Sequence, residues 1–126
     1  MMLLPTHTCF DDAIETLGEM FTASHNDYAD LRLVHGLVRL PDGKLSAHAW
    51  CEFEKNDKTY VVFVAILNGE RQHFVGERAE YYEEIGVVET TRYTVEQAAL
   101  ENRRSGNYGP WLPRYRARTR DAKGAR

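Results

Sequence analysis

Residues 45–67 read LSAHAWCEFEKNDKTYVVFVAIL, and this stretch decides the fold. Between residues 45 and 53 apolar and polar side chains alternate, which is the period of a strand that packs one face on a core. After the polar turn EKNDK, residues 59–67 are apolar on both faces and rich in β-branched side chains, as in a central strand that is covered on both sides. The short connection predicts antiparallel pairing of the two strands.

A further strand and a helix are predicted upstream of this pair. Residues 31–40 form a strand-like run, and the turn PDGK at 41–44 joins it to the next strand because proline and glycine favour a tight reversal. Residues 9–22, CFDDAIETLGEMFT, carry apolar side chains at helical spacing, with Thr8 as the N-cap. Cys9 is therefore expected to be the first residue of a helix.

Shorter elements are predicted toward the C-terminal end. A helix covers residues 76–85, and a strand covers residues 87–93. The tetrad TVEQ at 94–97 is a capping-box pattern, so it opens a helix that Gly106 ends. The fold class that follows is α+β, with the N-terminal helix packed on an antiparallel sheet and further short helices on the C-terminal side.

The distribution of charge divides the chain in two. Its net charge of −3 consists of about +5 in residues 114–126 and about −8 in residues 1–113. We predict one domain over residues 1–113, followed by a mobile basic tail over 114–126 that lacks an apolar period. Because the body is acidic, nucleic acid is not an expected partner. Such a tail is usually a solvated terminus, and contact with nucleic acid or an acidic protein is the alternative.

The sequence lacks the patterns of a membrane span, of a signal peptide and of a metal or phosphate site. No run reaches the roughly 18 apolar residues of a membrane span, and the start MMLLPTHTC lacks the pattern of a signal peptide. The chain is therefore expected to be cytoplasmic, with no membrane partner and with Cys9 and Cys51 as free thiols. The sequence contains no HExxH motif and no glycine-rich phosphate loop, so no metal and no cofactor is expected.

Two residues are candidates for a nucleophilic pair. A thiol at the first turn of a helix feels the positive end of the helix dipole, which stabilises the thiolate of Cys9, although most free cysteines are small buried hydrophobic groups. His48 shares a strand face with Trp50 and Glu52 by alternation. Cys51 lies on the opposite face, which argues against it as the reactive thiol. His48 is either the base for Cys9 or a hydrogen-bonded histidine on a half-exposed face.

Aromatic residues and a further histidine complete the predicted site. His35, in LVHGLV, is either a second site histidine or an internally bonded one, and the adjacent glycine suggests a close backbone approach. Trp50 is expected to form a wall of the site. The loop NYGPW contributes Tyr108 and Trp111 to a substrate groove.

Four segments, THTCFDDAIETL, LVHGLV, AHAWCE and YTVEQAALENRRSGNYGPW, occur in an order that resembles small bacterial and phage proteins of the papain-like and transglutaminase-like cysteine superfamily. The resemblance spans about residues 6–111. It implies a papain-like core with Cys9 as nucleophile and His48 as base. Such proteins place an aspartate or asparagine on the following strand to orient the imidazole, where this chain has Val64; Asn68 is the nearest polar residue.

The resemblance and the residues together predict a cysteine hydrolase or acyltransferase that acts on an amide or ester bond. A peptidase, an amidase and a transglutaminase-like enzyme all fit this class, with a peptide or protein as the substrate. The alternative is a catalytically inactive module of the same fold that binds a protein partner. The missing carboxylate favours this alternative, since losing the orienting group of such a triad lowers turnover by up to about 10⁴.

Overall fold

The computed structural model describes residues 4–5, 8–24 and 28–118. Residues 119–126, which make up most of the predicted basic tail, lie outside the described residues. In chain order the elements are β1 (Leu4–Pro5), α1 (Cys9–Ser24), β2 (Ala29–Arg39), β3 (Leu45–Lys55), β4 (Lys58–Leu67), β5 (Glu70–Glu77), α2 (Arg78–Ile85), β6 (Val87–Thr94), α3 (Val95–Ser105) and α4 (Pro113–Arg116). The structure is therefore α+β, and α1 begins at Cys9 as predicted.

The strands form one antiparallel sheet in the order β1-β4-β3-β2-β6, with β5 also paired to β4. β5 pairs along one edge of β4 from Tyr60 to Leu67, so β1 and β3 share the other edge. The β3–β4 ladder runs from the Lys55–Lys58 pair to the Cys51–Val62 pair, and β1 then pairs with β4 at Ala65 and Ile66. The two long strands thus separate beyond Cys51 and Val62; we call this opening the β3–β4 gap.

Each face of the sheet is covered by a helix. α1 packs on one face through Phe10, Ala13 and Leu17, against a core from β2, β3 and β4. α2 covers the opposite face, where Val34, Trp50 and Val61 are buried. β4 contributes Val62 to the first core and Val61 to the second, which explains why its sequence is apolar on both faces.

The capping box predicted at the start of α3 is present. The hydroxyl of Thr94 accepts a hydrogen bond from the backbone N–H of Gln97 at 3.0 Å, and the Gln97 side chain accepts from the backbone N–H of Thr94 at 2.9 Å. Gly106 follows the helix in the left-handed conformation, with φ of 77°. Both ends of α3 are therefore set by local sequence.

The sequence did not predict β5. Its residues, ERQHFVGE, are mostly polar, and α2 begins at Arg78, two residues later than expected. Side chains of β5 contact α1 instead of filling a core: Arg71 forms an ion pair with Asp12 at 2.7 Å, and Nε2 of His73 lies 3.0 Å from the hydroxyl of Thr16. Polar contacts between distant segments therefore hold this edge strand against the helix.

The folded part of the chain continues beyond residue 113, where the mobile tail was predicted to begin. Within α4, Tyr115 is fully buried, and Arg114 forms an ion pair with Glu89 of β6. The backbone N–H of Ala47 donates to the carbonyl oxygen of Arg118 at 2.9 Å. Residues 114–118 therefore pack on the sheet, and the predicted boundary is corrected to a later position.

Candidate functional site

A small pocket lies at the β3–β4 gap, where the first turns of α1 meet the sheet. Its volume is about 10 Å³, which is close to what one water molecule needs. α1, β3 and β4 all contribute to its lining, and because consecutive strand residues line it, both faces of the sheet contribute side chains. The lining residues are Cys9, Asp12, Ala13, Thr16, Ala49, Trp50, Val62, Phe63 and Val64.

Cys9 is half-buried and is the first residue of α1, so its thiol lies at the positive end of the helix dipole. A neighbouring carboxylate opposes a thiolate, but the carboxylate of Asp12 is neutralised by Arg71 at 2.7 Å and accepts from the hydroxyl of Thr8 at 3.0 Å. These contacts reduce the repulsion that Asp12 exerts on an ionised Cys9.

Cys51 differs from Cys9 in its burial and in its position within a strand. It is fully buried on the opposite face from His48, as predicted, and its Sγ donates a hydrogen bond to the carbonyl oxygen of Ala13 at 3.2 Å. Burial raises the pKa of the Cys51 thiol, and the negative charge of Glu52 raises it further. Cys51 is a structural residue that ties β3 to α1.

His48 is half-buried on β3, on the face that Trp50 and Glu52 share. Its partner across the β2–β3 ladder is Gly36. The next two residues of β3, Ala49 and Trp50, line the pocket, whereas His48 lies outside the lining. His48 therefore lies on the face of the sheet that α2 covers, whereas Cys9 packs with α1 on the opposite face.

Trp50 is held rigidly as a wall of the pocket by the buried carboxylate of Glu52. Its indole N–H donates to Oε2 of Glu52 at 3.0 Å. The same carboxylate accepts from the hydroxyl of Tyr82 and forms ion pairs with Arg92 at 3.4 Å and Arg78 at 3.6 Å. Because Tyr82 and Arg78 belong to α2, this network also fixes α2 on the sheet.

Gly36 gives Trp50 the space that its ring occupies. A Cβ atom at Gly36 would lie 2.5 Å from Cη2 of Trp50, closer than real Cβ contacts allow. The sequence LVHGLV suggested a close approach at this glycine. The structure shows that the group that approaches it is the indole ring of Trp50.

Tyr81 is a residue of this site that sequence reasoning missed. Its ring stacks on Phe63 with a centroid distance of 4.6 Å and meets Trp50 edge-to-face at 5.5 Å. Burial raises the pKa of Tyr81, and the next cause is the negative charge of an ionised Cys9. Tyr81 thus packs, from the side of α2, on two residues of the pocket lining. The one signal in the sequence is the aromatic pair at 81–82 in an otherwise polar helix.

The residues predicted to orient the histidine do not supply a carboxylate. Val64 lines the pocket. Asn68 is exposed in the two-residue turn between β4 and β5, with φ of 54°, and Gly69 follows with φ of 81°. Asn-Gly is a favoured pair for this type of hairpin turn, so local backbone geometry accounts for Asn68.

His35 is fully buried in an aromatic cage on the face that α1 covers. Its ring lies 4.8 Å from Phe10, 5.1 Å from Tyr93 and 5.0 Å from Trp111, measured between centroids. Within the described part of the chain, neither ring nitrogen has a hydrogen-bond partner. Burial lowers the pKa of His35 to about 3, so the imidazole is neutral. Its burial leaves no surface for contact with a substrate, and the predicted internal hydrogen bond is also not formed with any described residue.

The NYGPW loop covers this histidine. A Cβ atom at Gly109, whose φ is 104°, would lie 2.6 Å from Cε1 of His35. Trp111 is half-buried beside His35, and its indole N–H donates to the carbonyl oxygen of Asn107 at 3.2 Å. Tyr108 is exposed at the tip. Trp111 thus has a packing role, and Tyr108 is the loop residue that is accessible to a partner.

The described ranges contain neither a membrane-spanning helix nor a cluster of metal ligands. No described helix combines the length and apolar character needed to cross a membrane. Among residues 8–24 and 28–118, no three His, Cys, Asp or Glu side chains come together as metal ligands. Comparison with known proteins found no matching family model, no matching curated protein and no matching solved structure.

Proposed function

We propose that this chain is a papain-like cysteine hydrolase or acyltransferase acting on an amide or ester bond of a peptide or protein. Cys9 is the nucleophile and His48 is the base. The observation that carries the proposal is the position of Cys9, which is half-buried as the first residue of α1 and lines a pocket at the gap between two strands. A helix start stabilises a thiolate, and its first N–H groups lack intrahelical acceptors.

The proposed reaction proceeds through an acyl-enzyme. His48 takes the thiol proton, and the sulfur of Cys9 attacks the carbonyl carbon, whose π electrons move to oxygen. The oxyanion then reforms the carbonyl and expels the amine or alcohol, which takes the proton from the imidazolium of His48. Water or an amine attacks the thioester in a second, equivalent cycle. Trp50 forms one wall beside the reacting sulfur.

The residues around His48 lead us to expect slow turnover. Val64 occupies the pocket lining where related enzymes are expected to have a carboxylate, and Asn68 lies in an exposed turn. In comparable triads, replacing the orienting carboxylate lowers turnover by up to about 10⁴.

The second candidate function is a catalytically inactive module of the same fold that binds a protein partner. Val64 in the pocket lining favours it, and so does the pocket volume of about 10 Å³, which is much smaller than a ligand-binding cleft. The exposed Tyr108 would then be a contact residue, since tyrosine is enriched in protein interfaces.

The proposal is tested by the rate of Cys9 alkylation with iodoacetamide between pH 5 and 9, with Cys51→Ser as background. We expect the thiolate to titrate well below about 8.5, the value of a free cysteine. His48→Ala is expected to move this titration upward because an imidazolium no longer stabilises the thiolate.

His73→Ala is the matched control for this experiment. His73 is exposed on β5 and lies near Thr16, so its removal deletes an imidazole without touching β3. A slow thiol with an ordinary pKa that responds to neither substitution would exclude the enzyme and leave the binding module.

A further inference from the structure

The strand β5 has an outer edge whose backbone groups point away from the sheet. Asn68 and Gly69, both with positive φ, form a two-residue hairpin turn that makes Leu67 and Glu70 a hydrogen-bonded pair. Because hydrogen-bonded pairs alternate along an antiparallel ladder, the even-numbered residues of β5 bond to β4, and the N–H and C=O groups of its odd-numbered residues point outward. No backbone group of a described residue bonds to this outer edge.

The outer edge of β5 is accessible. Val75 is 63% exposed, which is more than any other large apolar residue of the described chain, and Arg71, His73 and Glu77 are each about half exposed. Neither core includes a described residue of β5, because α1 and α2 pack over the inner strands. An exposed edge strand pairs readily with a further strand unless its side chains oppose this.

The charges of this segment favour pairing with an identical strand. Residues 70–78 read ERQHFVGER, with Phe74 at the centre. When two such strands run antiparallel about a two-fold axis at Phe74, residues equally far from the centre lie opposite each other. Arg71 then faces Glu77, and Glu70 faces Arg78. An edge protected against self-pairing would bring like charges together, whereas here every charge meets the opposite sign.

The same register also satisfies the backbone. It places the outward-pointing residues opposite each other as hydrogen-bonded pairs, Arg71 with Glu77 and His73 with Val75. A two-fold axis at His73 or at Val75 would keep backbone pairing but would lose the contact between Arg71 and Glu77. The register centred on Phe74 is therefore the one that pairs both the charges and the backbone.

We propose that the outer edge of β5 binds the β5 edge of a second copy of this chain, in an antiparallel register centred on Phe74. The two sheets then form one continuous sheet, with both copies of α1 on the same face. Arg71 already lies on that face, where it contacts Asp12. Phe74 lies on the other face, stacked on Phe63 at 5.6 Å, and meets its own counterpart across the axis. This dimer does not depend on the proposed function.

The first test is the mass of the full chain in solution, measured by sedimentation from about 1 μM to 1 mM, the range of weak and moderate affinities. We expect the mass to rise with concentration from 14.5 kDa to twice that value. Val75→Pro removes an outward N–H without removing a hydrogen bond to β4, and it is expected to weaken the dimer by about tenfold or more. Val75→Thr keeps the N–H and the β-branched side chain, so this control should still dimerise. Melting temperatures establish that both variants are folded.

The second test fixes the register by cross-linking in a Cys9→Ser background, in which the remaining Cys51 is buried. Phe74→Cys is expected to form a disulfide-linked dimer on oxidation, because its Cα lies about 4.5 Å from its counterpart in a pair that is not hydrogen-bonded. Gln72→Cys is the matched control on the same face of β5. It faces Gly76 and lies about 13 Å from its own counterpart, so it should not cross-link.

The third test exchanges the facing charges. Arg71→Glu and Glu77→Arg each place like charges opposite each other, so each variant alone is expected to dimerise more weakly. A mixture of the two variants restores both opposite-charge pairs and should form mixed dimers. Loss of the contact between Arg71 and Asp12 would weaken Arg71→Glu in either case, but mixing would not repair it.

The outcomes decide between the proposed dimer and its alternatives. A concentration-dependent dimer that Val75→Pro weakens and Phe74→Cys cross-links supports it, and so does recovery in the charge-exchanged mixture. A monomer at every concentration overturns it. A dimer that tolerates Val75→Pro, or that Gln72→Cys cross-links as readily as Phe74→Cys, also overturns it, because the contact then lies on another surface or in another register.

Discussion

Acidification is expected to destabilise the protein through His35. Burial lowers the pKa of His35 from 6.5 to about 3 in the folded state, whereas the unfolded chain retains the value near 6.5. Between these two values the unfolded state binds one more proton, so the free energy of unfolding falls as the pH falls. Each pH unit contributes about 1.4 kcal/mol, so at pH 4.5 the loss from this residue is about 2.7 kcal/mol. Above pH 6.5 the contribution is constant.

The measurement is urea denaturation at pH 7.0, 5.5 and 4.5 for the natural protein and for His35→Phe. The other titratable groups are the same in both proteins. The difference between the two proteins in how the free energy of unfolding changes with pH therefore gives the contribution of His35. The phenyl ring suits a cage of aromatic side chains, so the variant should fold and should lose most of the slope between pH 6.5 and 4.5. The exposed His73→Ala variant should retain it. Equal slopes in the natural protein and His35→Phe would refute the reasoning.

Two further substitutions test the packing and the site. Gly36→Ala places a methyl group 2.5 Å from Cη2 of Trp50 and is expected to lower the free energy of unfolding by about 1–3 kcal/mol, measured by urea denaturation. Gly18→Ala, in α1 with open space around it, should instead stabilise by up to about 1 kcal/mol, and an equal loss in both would contradict the packing argument. Asn68→Ala should leave the alkylation rate of Cys9 unchanged, because Asn68 lies in an exposed turn; a large decrease in rate would restore it to the site.

Local patterns in the sequence predicted the elements whose stability depends on local chemistry. The capping box at Thr94 and Gln97 opens α3, and alternation from Leu45 onward gives the two faces of β3. β5 escaped prediction because its pairing partner and its contacts with α1 come from distant segments. An ion pair such as that of Arg71 with Asp12 has no signature in the sequence of either element.

Local patterns in the sequence predicted part of the candidate site. The rest depends on contacts between distant segments and could not be predicted. The helix start at Cys9 and the strand face of His48 follow from local periodicity. The gap between β3 and β4 does not, because it depends on where one ladder stops and the N-terminal strand replaces it. The contacts of Tyr81 with Trp50 and Phe63 of the pocket lining are likewise visible in three dimensions alone. The sequence alone also leaves His35 as a candidate site histidine, and only the structure shows that it is fully buried.

β1 and β3 share one edge of β4, and this has a consequence for when the surroundings of Cys9 form during synthesis. Cys9 is synthesised before the strands that surround it, because these lie some 40 to 55 residues further along the chain. Contacts between such distant segments form late. In a nascent chain these surroundings of the thiol are therefore absent until the sheet has formed. Completion of the fold is in this way the step that creates the surroundings on which the proposed role of Cys9 depends.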